Sequence, residues 1–548
     1  MGNLQSSKIN ENKILTSQND FDDSVVLEYN QNITSYFIDS MKKYMTKNSN
    51  KEFLVNCGKK YFPGETTSEG PESVSILDFI EKVPKFAKYL YENGLRKGDV
   101  VHIIIGNRGD VYIPVHATLL CQGVVSISVD NISTETLLSE VQETQAKFVI
   151  CTNRTYYKVK DLSSIIINLD TQLHAILEID MSTQTQIPEQ IEFDLQTLAV
   201  ILWTSGTTGK PKGIQLNMVS LWNLLFLSPK TDGNMLITCN FAHVSGFNYS
   251  CFWSINFDVC TFHFISPEDV TSLGVEKIIF TLSQIPFTTI VVSASHIVYI
   301  AEKIVNDQIE YSSNFDEVKN ICPAGAHTYP GISDDLRKLF RNLENVPNLY
   351  AMTESGGLIL ISKDQRSNGG VVGNMEVYIR DIHSGERLGP NTSGELIYRN
   401  PDKPTLGYLN RPDETKKFFL DDGWCCSGDM FHYNDHGELF YEGRIKEMLK
   451  SNGSHVYPIE IETIIQSMNS NIIEAGLFSK TEKIQTILGG IVVIKKGYRI
   501  DPEEIRQFVN DRIDDYKHLE IIILTYEPLP RNPNGKLLRN DINKLACS

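Results

Sequence analysis

The distribution of apolar residues predicts alternating helices and strands. In residues 76–90 the apolar positions recur every three to four residues and stop before Gly94, a spacing typical of an amphipathic helix. Residues 100–105 are an apolar run of strand length. The alternation continues with a helix over 110–123, a strand over 124–129, a helix over 134–146 and a strand over 148–150. This order predicts an α/β fold with doubly wound, mixed or parallel sheets.

The pattern changes twice further along the chain. The α/β alternation resumes after Thr204 and continues to about residue 361, whereas short strands with Gly, Asp and Asn turns occupy about 370–443. Helix and strand patterns mix again beyond Arg444. We therefore predict a disordered tail (1–30), a large N-terminal domain (31–443) that includes a small β subdomain (about 370–443), and a hinged C-terminal α+β domain (447–548).

The charge balance argues against a nucleic-acid partner. The 548 residues include 51 basic and 68 acidic ones, for a net charge of −17, which repels a phosphate backbone.

The cysteines show no metal or redox motif. The ten cysteines are scattered, and the adjacent pair Cys425-Cys426 lacks the C-x-x-C spacing of a metal or redox site. We expect reduced thiols, as in a cytosolic protein.

The first residues fit a lipidation pattern. Met1 to Ser6 match M-G-x-x-x-[ST], in which Gly2 is myristoylated once Met1 is removed. A polar tail that begins with glycine by chance is the alternative.

The apolar runs are too short to span a bilayer, and the final Ala546-Cys547-Ser548 is neither a peroxisomal nor a prenylation signal. We expect a cytoplasmic protein, with reversible attachment to a membrane surface if Gly2 carries a lipid.

One segment carries the strongest chemical signal. TSGTTGKPKG, residues 204–213, follows an apolar strand and supplies hydroxyls, glycines and two lysines suited to a polyphosphate. It is not a Walker loop, because Pro211 follows Gly209-Lys210 and Thr204 stands where that loop has its first glycine.

The segment instead resembles the signature of the adenylate-forming superfamily, which includes acyl-CoA synthetases, 4-coumarate-CoA ligases and beetle luciferases. Other segments agree with this resemblance: YAMTE (350–354), GW with SGD (423–429), GRIKE (443–447) and PRNPNGKLLR (530–539). Together they cover nearly all of the chain after the first thirty residues.

The resemblance implies the roles of individual residues. It makes Lys536 the catalytic lysine, with His243, Thr353 and Glu354 also in the catalytic site and Glu354 holding Mg²⁺. It places Lys446 at the hinge between domains, and Lys450 and Gly453 along the thiol tunnel. It assigns the acyl pocket to Gly325, Ala326, Ala351 and Gly356. It assigns ATP and AMP contacts to Thr204, Ser205, Gly206, Thr207, Thr208, Gly209, Lys210, Lys212, Tyr350, Asp429 and Arg444.

The implied function is that of an ATP-dependent acid–thiol ligase. Such an enzyme adenylates a fatty or aryl acid, releases pyrophosphate and transfers the acyl group to coenzyme A, with ATP, Mg²⁺ and coenzyme A as cofactors and a small-molecule carboxylic acid as substrate. Three alternatives stay open: an enzyme that loads a carrier protein, a luciferase-like oxygenase, and an idle ligand-binding or scaffold homologue. The retained Glu354, Asp429 and Lys536 argue against the last.

Overall fold

The fold was analysed in a computed structural model of the chain. The described residues are 7–17, 32–46, 50–63, 70–182, 194–204, 211–226, 233–253, 260–266, 275–305, 308–324, 332–363, 365, 367–451, 454–469, 471–482, 485–531 and 537–547.

The strands are listed first, in chain order. They are β1 (Ser7–Ile9), β2 (Leu15–Ser17), β3 (Glu52–Asn56), β4 (Ser73–Ser75), β5 (Val100–Ile104), β6 (Val124–Ser128), β7 (Phe148–Cys151), β8 (Ile165–Asn168), β9 (Leu198–Thr204), β10 (Lys212–Asn217), β11 (Gly233–Ile237), β12 (Cys260–Phe264), β13 (Thr289–Ser293), β14 (Asn320–Ala324), β15 (Asn348–Met352), β16 (Gly357–Ser362), β17 (Gly370–Val371), β18 (Glu376–Arg380), β19 (Gly394–Arg399), β20 (Thr405–Tyr408), β21 (Cys425–Tyr433), β22 (Leu439–Arg444), β23 (Leu449–Ser451), β24 (Ser454–Val456), β25 (Ile472–Glu482), β26 (Gln485–Ile494) and β27 (Ile521–Thr525).

The α-helices follow in the same order. They are α1 (Ile33–Met45), α2 (Cys57–Tyr61), α3 (Ile76–Glu92), α4 (Tyr112–Leu120), α5 (Thr134–Thr144), α6 (Asn153–Val159), α7 (Leu169–Leu177), α8 (Met218–Phe226), α9 (Val244–Asn248), α10 (Glu276–Gln284), α11 (Ala294–Val305), α12 (Ile332–Arg337), α13 (Pro412–Phe418), α14 (Pro458–Ser467), α15 (Pro502–Asn510) and α16 (Arg539–Cys547). None of the helices within the described residues combines the length and apolar character needed to cross a bilayer.

Two mostly parallel sheets form the body of the large N-terminal part. The described strands of the first run in the order β20-β10-β9-β6-β5-β7-β8, and those of the second in the order β14-β13-β11-β12-β3-β4. In the first sheet β9, β6, β5, β7 and β8 are parallel, while β10 and β20 are antiparallel to their neighbours. The central strand β6 is buried along its whole length, which accounts for its mostly apolar sequence. The doubly wound α/β prediction is confirmed.

Helix α3 illustrates how sequence determines one of these elements. Ser75 Oγ accepts a hydrogen bond from Asp78 N in the first turn, and the Asp78 carboxylate accepts one from Ser75 N. Gly94 follows the end of the helix with a positive φ of 97°. Phe79 and Phe86, on its apolar face, are fully buried. The helix predicted over 76–90 is therefore present. The helix predicted over 110–123 is shorter: a 3₁₀ turn precedes α4, and the helix ends at Leu120.

The predicted β subdomain contains an antiparallel sheet with an unexpected contribution from the N-terminus. Its strands run in the order β1-β2-β18-β19-β21-β22. Leu15 of β2 is fully buried, and Ser7 Oγ accepts a 3.0 Å hydrogen bond from Val371 N. The prediction of a disordered tail over 1–30 is thus wrong for residues 7–17, because this hairpin completes the edge of the sheet. Residues 1–6, including Gly2, and 18–31 lie outside the described residues.

The C-terminal part combines helices with small sheets, as the sequence predicts for an α+β unit. β25 pairs antiparallel with β26, which pairs parallel with β27, and β23 and β24 form a separate hairpin. Its apolar cluster includes Ile461 and Val492. This cluster is distinct from the one that spans both parallel sheets.

Candidate functional site

The predicted phosphate segment connects two paired strands. Thr204 ends β9 and lies opposite Lys212, the first residue of β10, and Thr204 Oγ1 donates a 3.4 Å hydrogen bond to the Lys212 carbonyl oxygen. The structure therefore brings the two ends of the segment together at the carboxyl edge of the first sheet. The residues between them, Ser205, Gly206, Thr207, Thr208, Gly209 and Lys210, lie outside the described residues.

Lys212 is held by contacts from the β20–α13 region. Its ammonium group pairs with the Glu414 carboxylate and lies 5.5 Å from the centre of the Tyr408 ring. Strand β20, which carries Tyr408, pairs with β10, so that Tyr408 lies opposite Ile214. The end of the phosphate segment is thereby joined to a strand almost two hundred residues later in the chain.

The YAMTE segment ends β15 and leads into a tight turn. Alternation along the strand buries Tyr350 and exposes Ala351. Ser355 Oγ bonds the carbonyl oxygens of Met352 (2.9 Å) and Gly357 (2.6 Å), which fixes the turn after the strand. Within the turn Thr353 is buried and Glu354 is half-buried.

Glu354 has the surroundings of a carboxylate that could hold a divalent cation. Its Oε1 accepts a 3.2 Å hydrogen bond from the Tyr408 hydroxyl. No lysine or arginine among the described residues forms an ion pair with it, and no cluster of three or more acidic, His or Cys side chains occurs in that part of the chain. The Glu354 carboxylate fits Mg²⁺, because this cation usually takes one or two carboxylates together with substrate phosphates.

Asp429 lies at the centre of a buried polar cluster. Its Oδ2 accepts a 2.7 Å hydrogen bond from the Tyr350 hydroxyl, and Arg444 Nε lies 3.2 Å from Oδ1. Burial would lower the pKa of Arg444, but the charge of Asp429 holds it above its ordinary value. Burial and Asp429 both raise the pKa of Tyr350, so its hydroxyl remains a donor. The structure thus joins the predicted Tyr350, Asp429 and Arg444.

His243 lies at the carboxyl edge of the second sheet, just before α9. Its Nδ1 is 2.9 Å from Ser245 Oγ, and burial lowers the pKa of the imidazole, which favours the neutral ring at pH 7. A methyl group on Gly246 would come 1.9 Å from the Asn240 carbonyl oxygen, so only glycine fits there. No hydrogen bond within the described residues joins His243 to Thr353 or Glu354.

Asn107 ties this loop to the first sheet. Its Nδ2 donates to the Cys239 carbonyl oxygen at 2.7 Å, and its Oδ1 accepts from Phe241 N at 2.8 Å. Asn107 follows β5 and is almost completely buried. The carboxyl edges of the two parallel sheets therefore face a common region, which is where doubly wound folds bind ligands.

The predicted hinge follows the antiparallel sheet directly. Arg444 ends β22 opposite Asp429, and Lys446 comes two residues later with an exposed side chain. Lys450 lies on β23, paired with His455, but its side chain and Gly453 lie outside what the structure describes. Lys446 therefore lies between the last strand of the antiparallel sheet, β22, and the first strand of the C-terminal unit, β23. The hinge itself stays a prediction.

Lys536, the predicted catalytic lysine, also lies outside the described residues, but the residues at both ends of its segment are described. Arg531 and Leu537, on either side of 532–536, pair across an antiparallel bridge. Arg531 Nη2 lies 3.4 Å from Glu474 Oε1, which also accepts a 3.5 Å hydrogen bond from the hydroxyl of Tyr299 on α11. The segment that contains Lys536 thus begins beside a contact between the C-terminal unit and the large domain.

The predicted acyl-pocket residues are only partly described. Gly325 and Ala326 lie outside the described residues, and Ala351 is exposed. Gly356 has a positive φ of 70°, and a methyl group there would approach Ser220 and Pro404 to 3.2 Å. Its small size is therefore explained by backbone conformation and packing, whatever its part in a pocket.

Sequence reasoning did not assign roles to three residues that organise this region: Asn107, Tyr408 and Glu414. Gly407-Tyr408 carries one usable signal, since glycine before an aromatic residue at a strand end suggests a special backbone conformation. Gly407 does have a φ of 89°. Nothing local to Asn107 or Glu414 indicates their partners, which are distant in sequence.

The chain resembles known proteins in both sequence and fold. The family model described as AMP-binding enzyme matches residues 43–409. The chain is 26% identical to 4-coumarate–CoA ligase 2 of Nicotiana tabacum over 84% of this chain and 88% of the relative. It is 24% identical to luciferin 4-monooxygenase of Photuris pensylvanica over 88% and 91%. The fold is similar to that of ATP-bound MatB from Rhodopseudomonas palustris, with a TM-score of 0.76 and 18% identity over 93% of this chain and 98% of the other.

Proposed function

Because the chain belongs to the AMP-binding enzymes of the adenylate-forming superfamily, we propose that it is an ATP-dependent acid–thiol ligase. It would join a fatty or aryl acid to AMP with release of pyrophosphate, and then transfer the acyl group to coenzyme A.

One observation carries the proposal more than any other. Contacts link the end of the phosphate segment at Lys212 through Tyr408 to Glu354, while Tyr350, four residues before Glu354, bonds Asp429. A nucleotide bound here would have a phosphate segment, a metal-binding carboxylate and a buried carboxylate for the ribose diol within one region. This is the set of groups that adenylation needs.

In the first half-reaction the chain binds and orients ATP. Residues 204–210 and Lys212 would contact the phosphates, Tyr350 the adenine, Asp429 the ribose hydroxyls, and Thr353 and Arg444 would complete the nucleotide site. Glu354 would hold Mg²⁺, which supplies charge neutralisation at the phosphate oxygens when bound. Attack of the acid on the α-phosphate forms the P–O bond of the acyl-adenylate and breaks the bond to pyrophosphate.

Lys536 would provide the main electrostatic stabilisation of that step. A lysine ammonium is charged at neutral pH and can bridge the attacking carboxylate and the transition-state oxygens. His243, held neutral by burial, would lie beside the acid and orient it by a hydrogen bond. No protein nucleophile is required, because this chemistry depends on positioning and charge.

The second half-reaction needs a different face of the C-terminal domain over the same pocket. Rotation about Lys446 would withdraw Lys536 and bring the segment containing Lys450 and Gly453 to the thiol tunnel. The exposed position of Lys446 next to Arg444, which stays with Asp429, supports a pivot at this place. The thiol of coenzyme A would then attack the acyl carbonyl carbon and release AMP.

A lipid on Gly2 would place the enzyme at a membrane surface. The hairpin of β1 and β2 fixes Ser7 on the antiparallel sheet, so an acylated Gly2 would be tethered five residues from the folded protein. Mass spectrometry of the N-terminal peptide, purified from a eukaryotic host, tests this: a mass increase of one myristoyl group on Gly2 is expected, and an unmodified peptide contradicts it.

Product analysis separates the proposed ligase from the alternatives. The purified chain is incubated with ATP, Mg²⁺, coenzyme A and a panel of fatty and aryl acids, and thioester and AMP are quantified. Equal amounts of acyl-CoA and AMP are expected with at least one acid. Adenylate without thioester indicates a carrier-loading enzyme, oxygen consumption indicates an oxygenase, and nucleotide binding without AMP indicates an idle homologue.

A further inference from the structure

Tyr408 contacts two parts of the candidate site at once. Its hydroxyl donates a 3.2 Å hydrogen bond to Glu354 Oε1, and its ring lies 5.5 Å from the ammonium group of Lys212. We propose that Tyr408 is a positioning residue for adenylation, which orients Glu354 for a divalent cation. This inference rests on the proposed function, since it assigns the Tyr408 hydroxyl a role in holding the metal–nucleotide complex.

The backbone around Tyr408 is built to fix its side chain. Gly407 has a φ of 89°, and a methyl group there would come 2.5 Å from Thr415 Cγ2. The Tyr408 N–H donates to Thr415 Oγ1 at 3.0 Å, and the Thr415 hydroxyl donates back to the Tyr408 carbonyl oxygen at 3.3 Å. The ring packs edge-to-face on Phe418, with centroids 5.6 Å apart. These contacts leave the hydroxyl pointing at Glu354.

The Tyr408 hydroxyl is committed to one acceptor, the Glu354 carboxylate. A protonated phenol can donate one hydrogen bond, which here goes to Oε1. The second oxygen, Oε2, has no hydrogen bond within the described residues and is the atom that a cation would contact.

Glu414 provides the carboxylate that pairs with the Lys212 ammonium group. If the Lys212 ammonium paired with Glu354 instead, it would neutralise the charge that a divalent cation needs. Tyr408 is uncharged and contacts both groups, the Lys212 ammonium with its ring and the Glu354 carboxylate with its hydroxyl. One side chain thus links the end of the phosphate segment to the predicted metal carboxylate.

Tyr408→Phe tests this role, because it keeps the ring and removes only the hydroxyl. The matched control is Tyr433→Phe, which removes a hydroxyl that bonds the Leu388 carbonyl oxygen at 3.3 Å in the neighbouring sheet. The measurement is Mn²⁺ binding by electron paramagnetic resonance, with full-length protein and α,β-methylene-ATP. We expect the Mn²⁺ dissociation constant to rise about tenfold in Tyr408→Phe, as for a lost hydrogen bond to a charged group, and to stay unchanged in Tyr433→Phe.

A double-mutant cycle with Glu354→Gln makes the test specific. If Tyr408 acts through Glu354, Tyr408→Phe added to Glu354→Gln weakens Mn²⁺ binding no further. The inference is overturned if wild type and Tyr408→Phe bind Mn²⁺ with equal affinity. It is also overturned if the losses of Mn²⁺ affinity in the two single variants add up in the double variant. The proposed function stands in both cases. Wild-type protein that binds no Mn²⁺–nucleotide complex contradicts both.

Discussion

The Tyr350 hydroxyl donates a 2.7 Å hydrogen bond to Asp429 Oδ2, although 79 residues separate the two in sequence. Asp429 is almost completely buried, and its other carboxylate oxygen lies 3.2 Å from Arg444 Nε. A buried carboxylate with a fixed orientation is suited to accept hydrogen bonds from a diol. The orientation of Asp429 therefore depends on a residue of the YAMTE segment.

Tyr350→Phe is expected to weaken ATP binding. The substitution removes a hydrogen bond to a charged group, which contributes about 1.5–3 kcal/mol, equivalent to at least a tenfold change in affinity. The KM for ATP should rise by that factor, while the KM for the acid changes little. Steady-state kinetics at varied ATP, with Tyr433→Phe as the control, measures this. An unchanged KM for ATP would show that Asp429 does not need Tyr350.

Arg539 stabilises the C-terminal unit close to the predicted catalytic segment. Its Nη2 donates to Glu462 Oε2 at 2.9 Å, its Nη1 contacts Glu462 Oε1, and Glu462 is almost completely buried. Arg539→Met leaves a buried carboxylate without its cation, which should cost about 3–5 kcal/mol in urea unfolding. Glu462→Gln in that background should restore most of the loss, because the amide oxygen can still accept from Leu477 N. If Arg539→Met alone lowers the free energy of unfolding by less than about 1 kcal/mol, this account is contradicted.

The N-terminal hairpin is expected to contribute to stability through one side chain. Leu15 is fully buried against the antiparallel sheet, whereas Ile9 on the paired strand is 39% exposed. Leu15→Ala should destabilise the protein by about 2–5 kcal/mol and Ile9→Ala by less than about 0.5 kcal/mol. Thermal unfolding compares the two variants. Similar effects of both would mean that the hairpin is not firmly attached to the sheet.

A buried carboxyl group should make stability depend on pH. Burial raises the pKa of Glu140 to about 8, although a hydrogen bond from Ser128 opposes the shift. The unfolded chain releases this proton near pH 4.3 and the folded protein near pH 8, so stability falls as pH rises between these values. Glu140→Gln should flatten that decline.

Urea unfolding of wild type and Glu140→Gln at pH 5, 6, 7 and 8 measures the effect. His102 Nε2 lies 3.9 Å from Glu140 Oε2, but burial lowers the pKa of His102 to about 3, so its ring is neutral over this whole pH range. The difference between the two proteins therefore reports on Glu140. The variant should gain stability relative to the wild type with each step in pH. Parallel curves would refute a raised pKa for Glu140.

These elements were predictable because burial leaves a pattern in the sequence. Helix α3 is buried on one face and shows a repeat of three to four residues, whereas strands β5 to β7 are buried on both faces and are mostly apolar runs. Each is found where the apolar positions predict it. The hairpin of β1 and β2 was missed because three-residue strands with one buried side chain, Leu15, leave no periodic signal.

The site was predictable where a motif has a distinctive order of residues, as in YAMTE. Its cross-links were not, because a hydrogen bond such as Tyr408 to Glu354 depends on how distant strands lie in the sheet. Strand order is set by tertiary packing, which no local pattern encodes. The roles of all the predicted site residues stay predictions from sequence, and Lys536, Gly325, Ala326 and residues 205–210 also lie outside the described residues.

Acid-dependent exchange of pyrophosphate into ATP, without coenzyme A, tests the central claim most directly. The wild-type chain should catalyse it with at least one acid of the panel, since the adenylate forms reversibly before any thiol is used. Lys536→Ala should lose about a thousandfold in this exchange, yet still convert a preformed acyl-adenylate to acyl-CoA. Absence of exchange with every acid, in a protein that binds ATP, would contradict the assignment of an adenylating enzyme.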